Sequence, residues 1–272
     1  MRKTILLLCI ALSAQFIQAQ SPWTKEKGKA YVQVGVSGLF YDKAQIDGKN
    51  TTLDNDYSDI TTQIYSEYGI TDKLEALLIV PIKFASFKSK ITNATESLTG
   101  LGNITFGLKY KLHDKKWKIA TGLQLQANSS KRDSNTGLST DFNASTLLPY
   151  LSVGSSSGKW YYFGYIGYGY MTNSYSDYFK LAAEVGYNII PRGHLILALD
   201  TKNPIAKEKA FENNASQWPS YLDRQTYNAF GIKFNYEFSP DKYGANISTY
   251  GAFGNDNAPL SPSINFAVYA KL

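Results

Sequence analysis

The sequence predicts an all-β protein, a transmembrane antiparallel up-and-down β-barrel of twelve strands that follows a cleaved signal peptide. Three observations predict this fold. The chain opens with a basic and then apolar segment of the kind that directs export. After that segment no run of 18 or more apolar residues occurs, so membrane-spanning helices are not expected. Apolar and polar residues instead alternate with period two along most of the chain.

Residues 1–19 are the predicted signal peptide, and residues 20–272 the predicted barrel domain. Arg2 and Lys3 precede an apolar run that is too short to span a bilayer. Small and polar residues follow, and cleavage is expected after Ala19 or the next residue.

The composition excludes several functional classes. The only cysteine, Cys9, lies in the predicted signal peptide, so the exported part has no thiol chemistry and no thiolate metal site. The formal net charge of +6 is spread along the chain without a basic block, so the sequence gives no indication of nucleic-acid binding. The chain has 21 Tyr and 14 Phe but only 2 Met. Many aromatics in a chain of negative mean hydropathy are typical of a barrel that is apolar outside, wet inside and ringed by tyrosines at both interfaces.

The alternation is clearest over residues 117–128. Trp117, Ile119 and Leu123 share one face there, and Lys118 and Gln124 share the other. For the predicted strands at 144–155 and 159–171, the pattern leaves open which face points outward. The twelve predicted strands lie near 29–40, 58–70, 73–85, 102–112, 116–128, 144–155, 159–171, 177–189, 193–203, 225–238, 243–253 and 261–272.

The connections between these strands fall into two classes that alternate along the chain. Bacterial barrels keep short periplasmic turns and longer external loops, so the alternation places both termini in the periplasm. Short turns are predicted at 71–72, 113–115, 156–158, 191–192 and 239–242. Loops that are longer, with the exception of the short one at 172–176, are predicted near 41–57, 86–101, 129–143, 172–176, 204–224 and 254–260.

The last predicted strand runs to the final residue, Leu272. Such a strand has to pair with the first one to remove both sheet edges. Its alternating apolar end resembles the assembly signal of outer-membrane proteins, although those more often finish on an aromatic residue. We therefore expect two partners, the lipid of the cell outer membrane and the barrel assembly machinery.

The charged residues of the strands fall on the inward face wherever the phase is clear. A basic residue that faces the bilayer midplane costs about 2–4 kcal/mol, which explains this placement. These side chains either form a salt-bridged network that fills the barrel or line a solute path, and the sequence leaves both open. An open path with this excess of lysine would mildly prefer anions. The predicted lumen-lining residues are Glu75, Lys83, Lys109, Lys111, Lys118, Lys180, Glu184, Asp200, Lys202, Lys233 and Glu237, with Lys271 near the C-terminus.

No catalytic residue, cofactor site or metal site is predicted. A serine nucleophile needs a histidine within hydrogen-bond reach, but His113 and His194 both map to the periplasmic rim and are expected to be solvated. Asp54, Asp56 and Asp59 have a spacing that could surround a hard cation. They lack the glycine and distal glutamate of an EF-hand loop, so a solvated acidic loop is expected.

Two motifs in the first half of the chain carry a family resemblance. One runs from Tyr68 to Glu75 as Tyr-Gly-Ile-Thr-Asp-Lys-Leu-Glu, with Pro81 in the next strand; the other is Gly100-Leu-Gly-Asn-Ile104. In these motifs the chain resembles the outer-membrane transporter barrels associated with phenol meta-pathway degradation, where an aspartate usually stands at position 103. The resemblance implies a pore or passive carrier for small compounds, with hydrophobic or aromatic ones as candidates. It supplies no established site residues.

The leading functional hypothesis is an outer-membrane channel or passive transporter for small solutes. About eight residues separate the predicted cleavage site from the first strand, which is too few for the plug domain of the large plugged barrels. A closed structural or surface-interaction barrel is the alternative, with residues 211–221 as the binding loop. A barrel hydrolase comes third.

Overall fold

The computed structural model describes residues 21–206 and 224–272. These residues form strands, turns and loops, and no helix in this part of the chain is long and apolar enough to cross a membrane. The predicted signal peptide and the predicted binding loop at 211–221 both lie outside the described residues.

Fourteen β-strands form one sheet, and twelve barrel strands account for all but the shortest of them. Two segments, β4 and β5, are the upper and lower halves of one barrel strand, because both pair with β3. The two-residue β13 only extends the edge of β1. The strands are β1 Ala30–Ile46, β2 Lys49–Gly69, β3 Leu74–Ser89, β4 Thr95–Leu101, β5 Thr105–Asp114, β6 Trp117–Gln126, β7 Thr146–Ser157, β8 Trp160–Met171, β9 Tyr178–Ile190, β10 Gly193–Pro204, β11 Thr226–Ser239, β12 Tyr243–Asp256, β13 Ala258–Pro259 and β14 Ser263–Lys271.

Each barrel strand pairs antiparallel with its neighbours in chain order, and β14 closes the ring against β1. Val34 lies opposite Val268 in that closing pair. The backbone N–H of Leu272 donates to the carbonyl of Ala30 at 2.8 Å, so the pairing reaches the last residue. The predicted fold, a closed twelve-stranded up-and-down barrel, is confirmed.

The prediction of a loop at 41–57 is wrong, because these residues belong to two paired strands. β1 and β2 continue as a paired hairpin far beyond the membrane-sized part of the barrel and meet at Asp47-Gly48. Both turn residues have positive φ, 50° and 75°. An Asp-Gly dipeptide is the usual sequence of such a two-residue turn, so this hairpin had a sequence indication.

The second predicted loop, at 86–101, is also a hairpin, because β3 runs on to Ser89 and β4 returns beside it. The strand predicted from residue 102 begins only at Thr105. Between β4 and β5 the chain leaves the ladder at residues 102–104, and the amide of Gly102 donates to the carbonyl of Pro81 at 3.0 Å. This interruption lets loop residues approach the barrel wall from inside.

The outer surface is apolar, as a bilayer requires. Leu108, Ile166 and Ile232 each expose about half of their area, between 47 and 51%. The structure also settles the two strands of uncertain phase, because Leu151 of β7 points outward with Ile166 of β8, whereas Tyr150 and Tyr165 are buried inside.

The interior is not uniformly wet, because aromatic rings fill its middle. Tyr150, Phe163, Tyr165 and Tyr250 form a buried cluster with small alanines, and the rings of Tyr150 and Tyr165 lie 5.0 Å apart. We call these four aromatic residues the tyrosine layer. We expected tyrosines at the two membrane interfaces, but several of them lie inside the barrel instead.

The tyrosine layer depends on glycines of neighbouring strands that leave room for its rings. A Cβ at Gly122 would lie 2.3 Å from Cζ of Tyr150. We expect Gly122→Ala to lower the free energy of unfolding by about 1–3 kcal/mol, because the ring has to shift within a filled interior. The matched control is Gly164→Ala on β8, where an added Cβ meets no atom within 4 Å. Urea unfolding in detergent, followed by heat-shifted gel mobility, measures both, and equal stabilities would contradict the packing argument.

Candidate functional site: the barrel interior

The described chain begins inside the barrel. Residues 21–27, which we call the N-terminal segment, enter the lumen from the periplasmic end ahead of β1. Pro22 is fully buried, and Trp23 packs edge-on against Tyr161 and Phe163 with ring centroids 6.0 and 6.1 Å apart. No plug domain was predicted ahead of the first strand, yet this short segment itself occupies part of the lumen.

A buried group of charges on β2, β3 and β5 lies beneath this segment. Lys109 is 2% exposed, and its Nζ lies 2.7 Å from Glu75 Oε1 and 3.5 Å from Glu67 Oε1. The hydroxyl of Tyr65 donates to Glu67 at 2.6 Å. Glu67 was not among the predicted lumen residues, although it follows the inward phase of its strand.

The N-terminal segment completes this charge cluster. Lys25 Nζ lies 2.7 Å from Glu67 Oε2, and the backbone N–H of Lys25 donates to Glu75 Oε2 at 2.7 Å. Lys109 Nζ also donates to the carbonyl of Trp23 at 2.8 Å. Two lysines thus face two glutamates, one lysine from the segment and one from the wall. The contacts that hold the segment are therefore polar apart from the Trp23 ring and Pro22.

A second ion pair stands across the lumen on the periplasmic side. Lys233 Nζ of β11 lies 2.6 Å from Glu184 Oε1 of β9, and the hydroxyl of Tyr161 donates to Glu184 Oε2 at 3.1 Å. This pair is buried beside the tyrosine layer, between the N-terminal segment and the opposite wall.

On the external side of the tyrosine layer the charges are again paired. Lys180 pairs with Asp200, and its Nζ donates to the Tyr227 hydroxyl at 2.9 Å. Lys83 Nζ lies 2.9 Å from Asp59 Oδ2. The strand phase of Asp59 brings it inside, and it is thus a partner of Lys83 rather than part of an acidic loop.

Lys202 lies over an aromatic pair at the external end. Its Nζ is 3.7 Å from the ring centroid of Phe142 and 4.8 Å from that of Tyr178. The neighbouring loop carries Asp141, whose pKa is raised by burial; N–H bonds from Asn103 and Phe142 and the charges of nearby lysines oppose that rise.

Four predicted lumen residues, Lys271 among them, lie at the periplasmic rim, where water reaches them. Lys111 and Lys118 both pair with Asp114, and their hydrogen bonds lower the pKa of Asp114 to about 2. Glu237 pairs with Lys271. The other eight predicted residues are buried inside the barrel.

The predicted excess of lysine inside the barrel is wrong for the described residues. Five lysines are buried there and so are five carboxylates, because Asp59 and Glu67 join the three predicted acids. The premise of an anion-selective interior therefore no longer holds: buried lysines and buried carboxylates are equal in number, and Lys83, Lys109, Lys180 and Lys233 each form an ion pair with at least one of these carboxylates.

Neither predicted histidine stands in a catalytic arrangement within the described residues. His113 is exposed near the end of β5, and His194 contacts the Tyr161 ring at 6.4 Å between centroids. Asp54 and Asp56 lie in β2 rather than in a loop, and Lys90 Nζ reaches Asp56 at 3.4 Å. No group of three metal-binding side chains occurs in the described part of the chain.

Cavities lie on both sides of the tyrosine layer. The periplasmic cavity measures about 920 Å³ beside Trp23 and Lys233. Two external cavities measure about 220 and 230 Å³. Along β9, Lys180 lines an external cavity, Glu184 lines the periplasmic one, and the buried Ala182 of the aromatic cluster lies between them.

Comparison with known proteins agrees with this geometry. A family model described as "Putative MetA-pathway of phenol degradation" matches residues 19–266. The chain belongs to this family. The resemblance seen in the sequence motifs is thus confirmed over nearly the whole barrel. No curated protein sequence matches the chain.

Solved structures share the fold at low sequence identity. The COG4313 outer membrane channel from Pseudomonas putida F1 is 13% identical with a TM-score of 0.69, covering 96% of this chain and 100% of that one. The β domain of the Bordetella autotransporter BrkA is 12% identical with a TM-score of 0.52, covering 90 and 99%. The NanC porin is 13% identical with a TM-score of 0.51, covering 89 and 100%. With its apolar outer surface, this family member is an outer-membrane barrel in contact with lipid.

The structure explains the family-pattern departure at Asn103. Its amide Nδ2 donates to the carbonyls of Phe142 and Ala144 at 2.7 and 3.2 Å, and its Oδ1 accepts from the amides of Ser129 and Ser130 at 3.1 Å each. A carboxylate could make only the second pair of bonds. The side chain therefore ties the strand interruption to both ends of the loop between β6 and β7.

We expect Asn103→Asp to lower the free energy of local opening of that loop by about 1–3 kcal/mol. The reason is that a carboxylate would face two carbonyl oxygens and lie close to Asp141. Hydrogen exchange of residues 128–144 measures the effect and should accelerate. Asn93→Asp is the control, since Asn93 is exposed in a turn at φ 59°, which aspartate tolerates. Equal exchange in the two variants would show that the amide donor is dispensable.

Proposed function

We propose that this family member is a passive outer-membrane channel for small solutes and that the described conformation is its closed form. One observation supports this most directly: in the described part of the chain, cavities lie on the periplasmic and the external side of the tyrosine layer, and the N-terminal segment lines the periplasmic one. A barrel that served only as a wall would gain from filling those cavities with apolar side chains. The similar structure from Pseudomonas putida F1 is described as an outer membrane channel, which supports the same function.

The solute path we propose follows the buried charge pairs. From the external side it passes Lys202, Lys83 and the Lys180–Asp200 pair, and it leaves past Glu184 and Lys233. Because five lysines and five carboxylates are buried in the described interior, we expect the path to suit neutral compounds. Hydrophobic or aromatic compounds are candidates through the family, and the aromatic rings of the interior suit them.

We also propose that the protein is not an enzyme and that the barrel assembly machinery is one of its partners. The similar structures are described as a channel, a porin and an autotransporter domain rather than as enzymes, which supports the first statement. The barrel assembly machinery is the proposed partner of β14, because this strand has to be brought against β1 to close the sheet.

Purified protein in planar bilayers tests the channel. We expect discrete conductance steps at low frequency, with cation and anion permeabilities close to each other because the buried charges are matched. A bilayer that stays silent at high protein load, with the barrel shown folded by heat-shifted gel mobility, would contradict the proposal.

The alternative function, a closed barrel with a structural or surface-binding role, is favoured by the same matched charges. Buried pairs with hydrogen-bonded partners hold a barrel together without any solute. Removal of residues 211–221 separates the two functions, because a binding role depends on that loop and conduction through the barrel does not.

A further inference from the structure

The 220 Å³ external cavity contains two polar groups that have no hydrogen-bond partner among residues 21–206 and 224–272. Gln124 of β6 is 7% exposed and Thr146 of β7 is 3% exposed, and both line this cavity. Neither Gln124 Nε2 nor Thr146 Oγ1 has a hydrogen-bond partner among the described residues. A buried amide or hydroxyl without a partner costs free energy, so two of them in one cavity indicate that something else satisfies them.

The strand register puts the two groups side by side. Thr146 lies opposite Gln126, and Gln124 is two positions further along β6 on the same face. Diagonal neighbours of this kind are about 7–8 Å apart, which the glutamine side chain can shorten. One small molecule can therefore contact both groups.

The charged groups around this cavity already have partners. Lys180 is paired with Asp200 and bonded to Tyr227, Lys202 lies over two rings, and Asp141 accepts two backbone N–H bonds. An ion entering here would lose its hydration, and the lysines and the carboxylate that line the cavity are already engaged by an ion pair, by rings or by N–H groups. The polar groups that remain are an amide donor and a hydroxyl that can donate or accept.

We infer that this cavity is a binding site for a neutral solute with two or more hydroxyl groups. One hydroxyl oxygen accepts from Gln124 Nε2, and a neighbouring hydroxyl exchanges a hydrogen bond with Thr146 Oγ1. The cavity has room for about seven water molecules at roughly 30 Å³ each, which limits the solute to about the size of a pentose. The inference rests on the proposed channel function, because it names a class of solute that the channel would hold on its way.

Binding in detergent solution tests the site without requiring conduction. D-xylose is the neutral probe and benzoate the charged one, each titrated against the full-length protein by saturation-transfer NMR. We expect saturable binding of xylose and weaker binding of benzoate. Gln124→Leu and Thr146→Val, each of similar volume, should weaken xylose binding about three- to ten-fold, the effect of losing one hydrogen bond.

Gln45→Leu is the matched control, because Gln45 lies at the tip of the external β1–β2 hairpin away from the cavity, and it should leave xylose binding unchanged. Heat-shifted gel mobility checks that each variant is folded; Gln124→Leu should be at least as stable as the parent, since it removes an unpaired buried amide. Xylose that fails to saturate, benzoate that binds more tightly, or affinity unchanged in both cavity variants would overturn the inference. Saturable, Gln124-dependent binding with silent bilayers would refute the channel and leave the site standing.

Discussion

Deletion of residues 21–27, with the export signal kept, is expected to raise the single-channel conductance several-fold. The segment occupies part of the periplasmic side of the lumen with Pro22 and Trp23, and the wall residues it contacts can be hydrated once it is gone. Strand β1 starts only at Ala30, so the ladder of the barrel stays intact. Planar bilayers measure the conductance of parent and variant under the same salt and voltage.

Two single variants sharpen this experiment. Trp23→Ala removes the ring that packs against Tyr161 and Phe163 and should give part of the increase. Lys27→Ser is the control, because this side chain is exposed and only its backbone N–H bonds the barrel, to Asp72. A deletion variant that is folded and conducts like the parent would show that the tyrosine layer alone sets the conductance.

Substitution of Lys109 by methionine is expected to lower the free energy of unfolding by about 3–5 kcal/mol. The change removes one partner of a buried cluster, and in the described part of the chain it leaves Lys25 as the one cation paired with these glutamates. The carbonyl of Trp23 also loses its donor, so the N-terminal segment should be less tightly held. Urea unfolding in detergent measures the stability.

Lys111→Met is the matched control for Lys109→Met, on the same strand and with the same change of side chain. Lys111 pairs with Asp114 at the hydrated rim, where ion pairs contribute about 0–1 kcal/mol. Adding Glu67→Gln to Lys109→Met should recover part of the loss, because it removes one unpaired buried charge. Similar losses for the two lysine variants would refute the buried cluster as a source of stability.

The barrel could be predicted from the sequence because a lipid-facing strand imposes a local rule. Every second residue has to be apolar, and Trp117 to Gln126 obey this rule without any knowledge of their neighbours. The rule fails where both faces carry similar side chains, as in the tyrosine- and glycine-rich β8. It also fails outside the membrane, where the β1–β2 hairpin needs no apolar face and its Asp-Gly turn was the only indication.

The contacts inside the barrel could not be predicted in this way, because the residues that form them are far apart in the chain. Alternation alone predicted that Lys109 points inward, but not that Glu67, Glu75 and the carbonyl of Trp23 surround it. Asn103 likewise looked like a departure from a motif until the carbonyls of Phe142 and Ala144 were placed beside its amide. Such contacts join residues 34 to 86 positions apart, and no local pattern records them.

The sequence by itself determined the barrel, its closure by the last strand and the inward phase of the charged residues, because hydrocarbon outside the wall acts on each strand separately. The tertiary structure alone decided what lies within. It placed the N-terminal segment in the lumen, buried five lysines with five carboxylates, and left two polar groups of the external cavity without a partner among the described residues. The physical reason is that burial of a charge or a hydrogen-bonding group depends on which distant strands meet across the lumen.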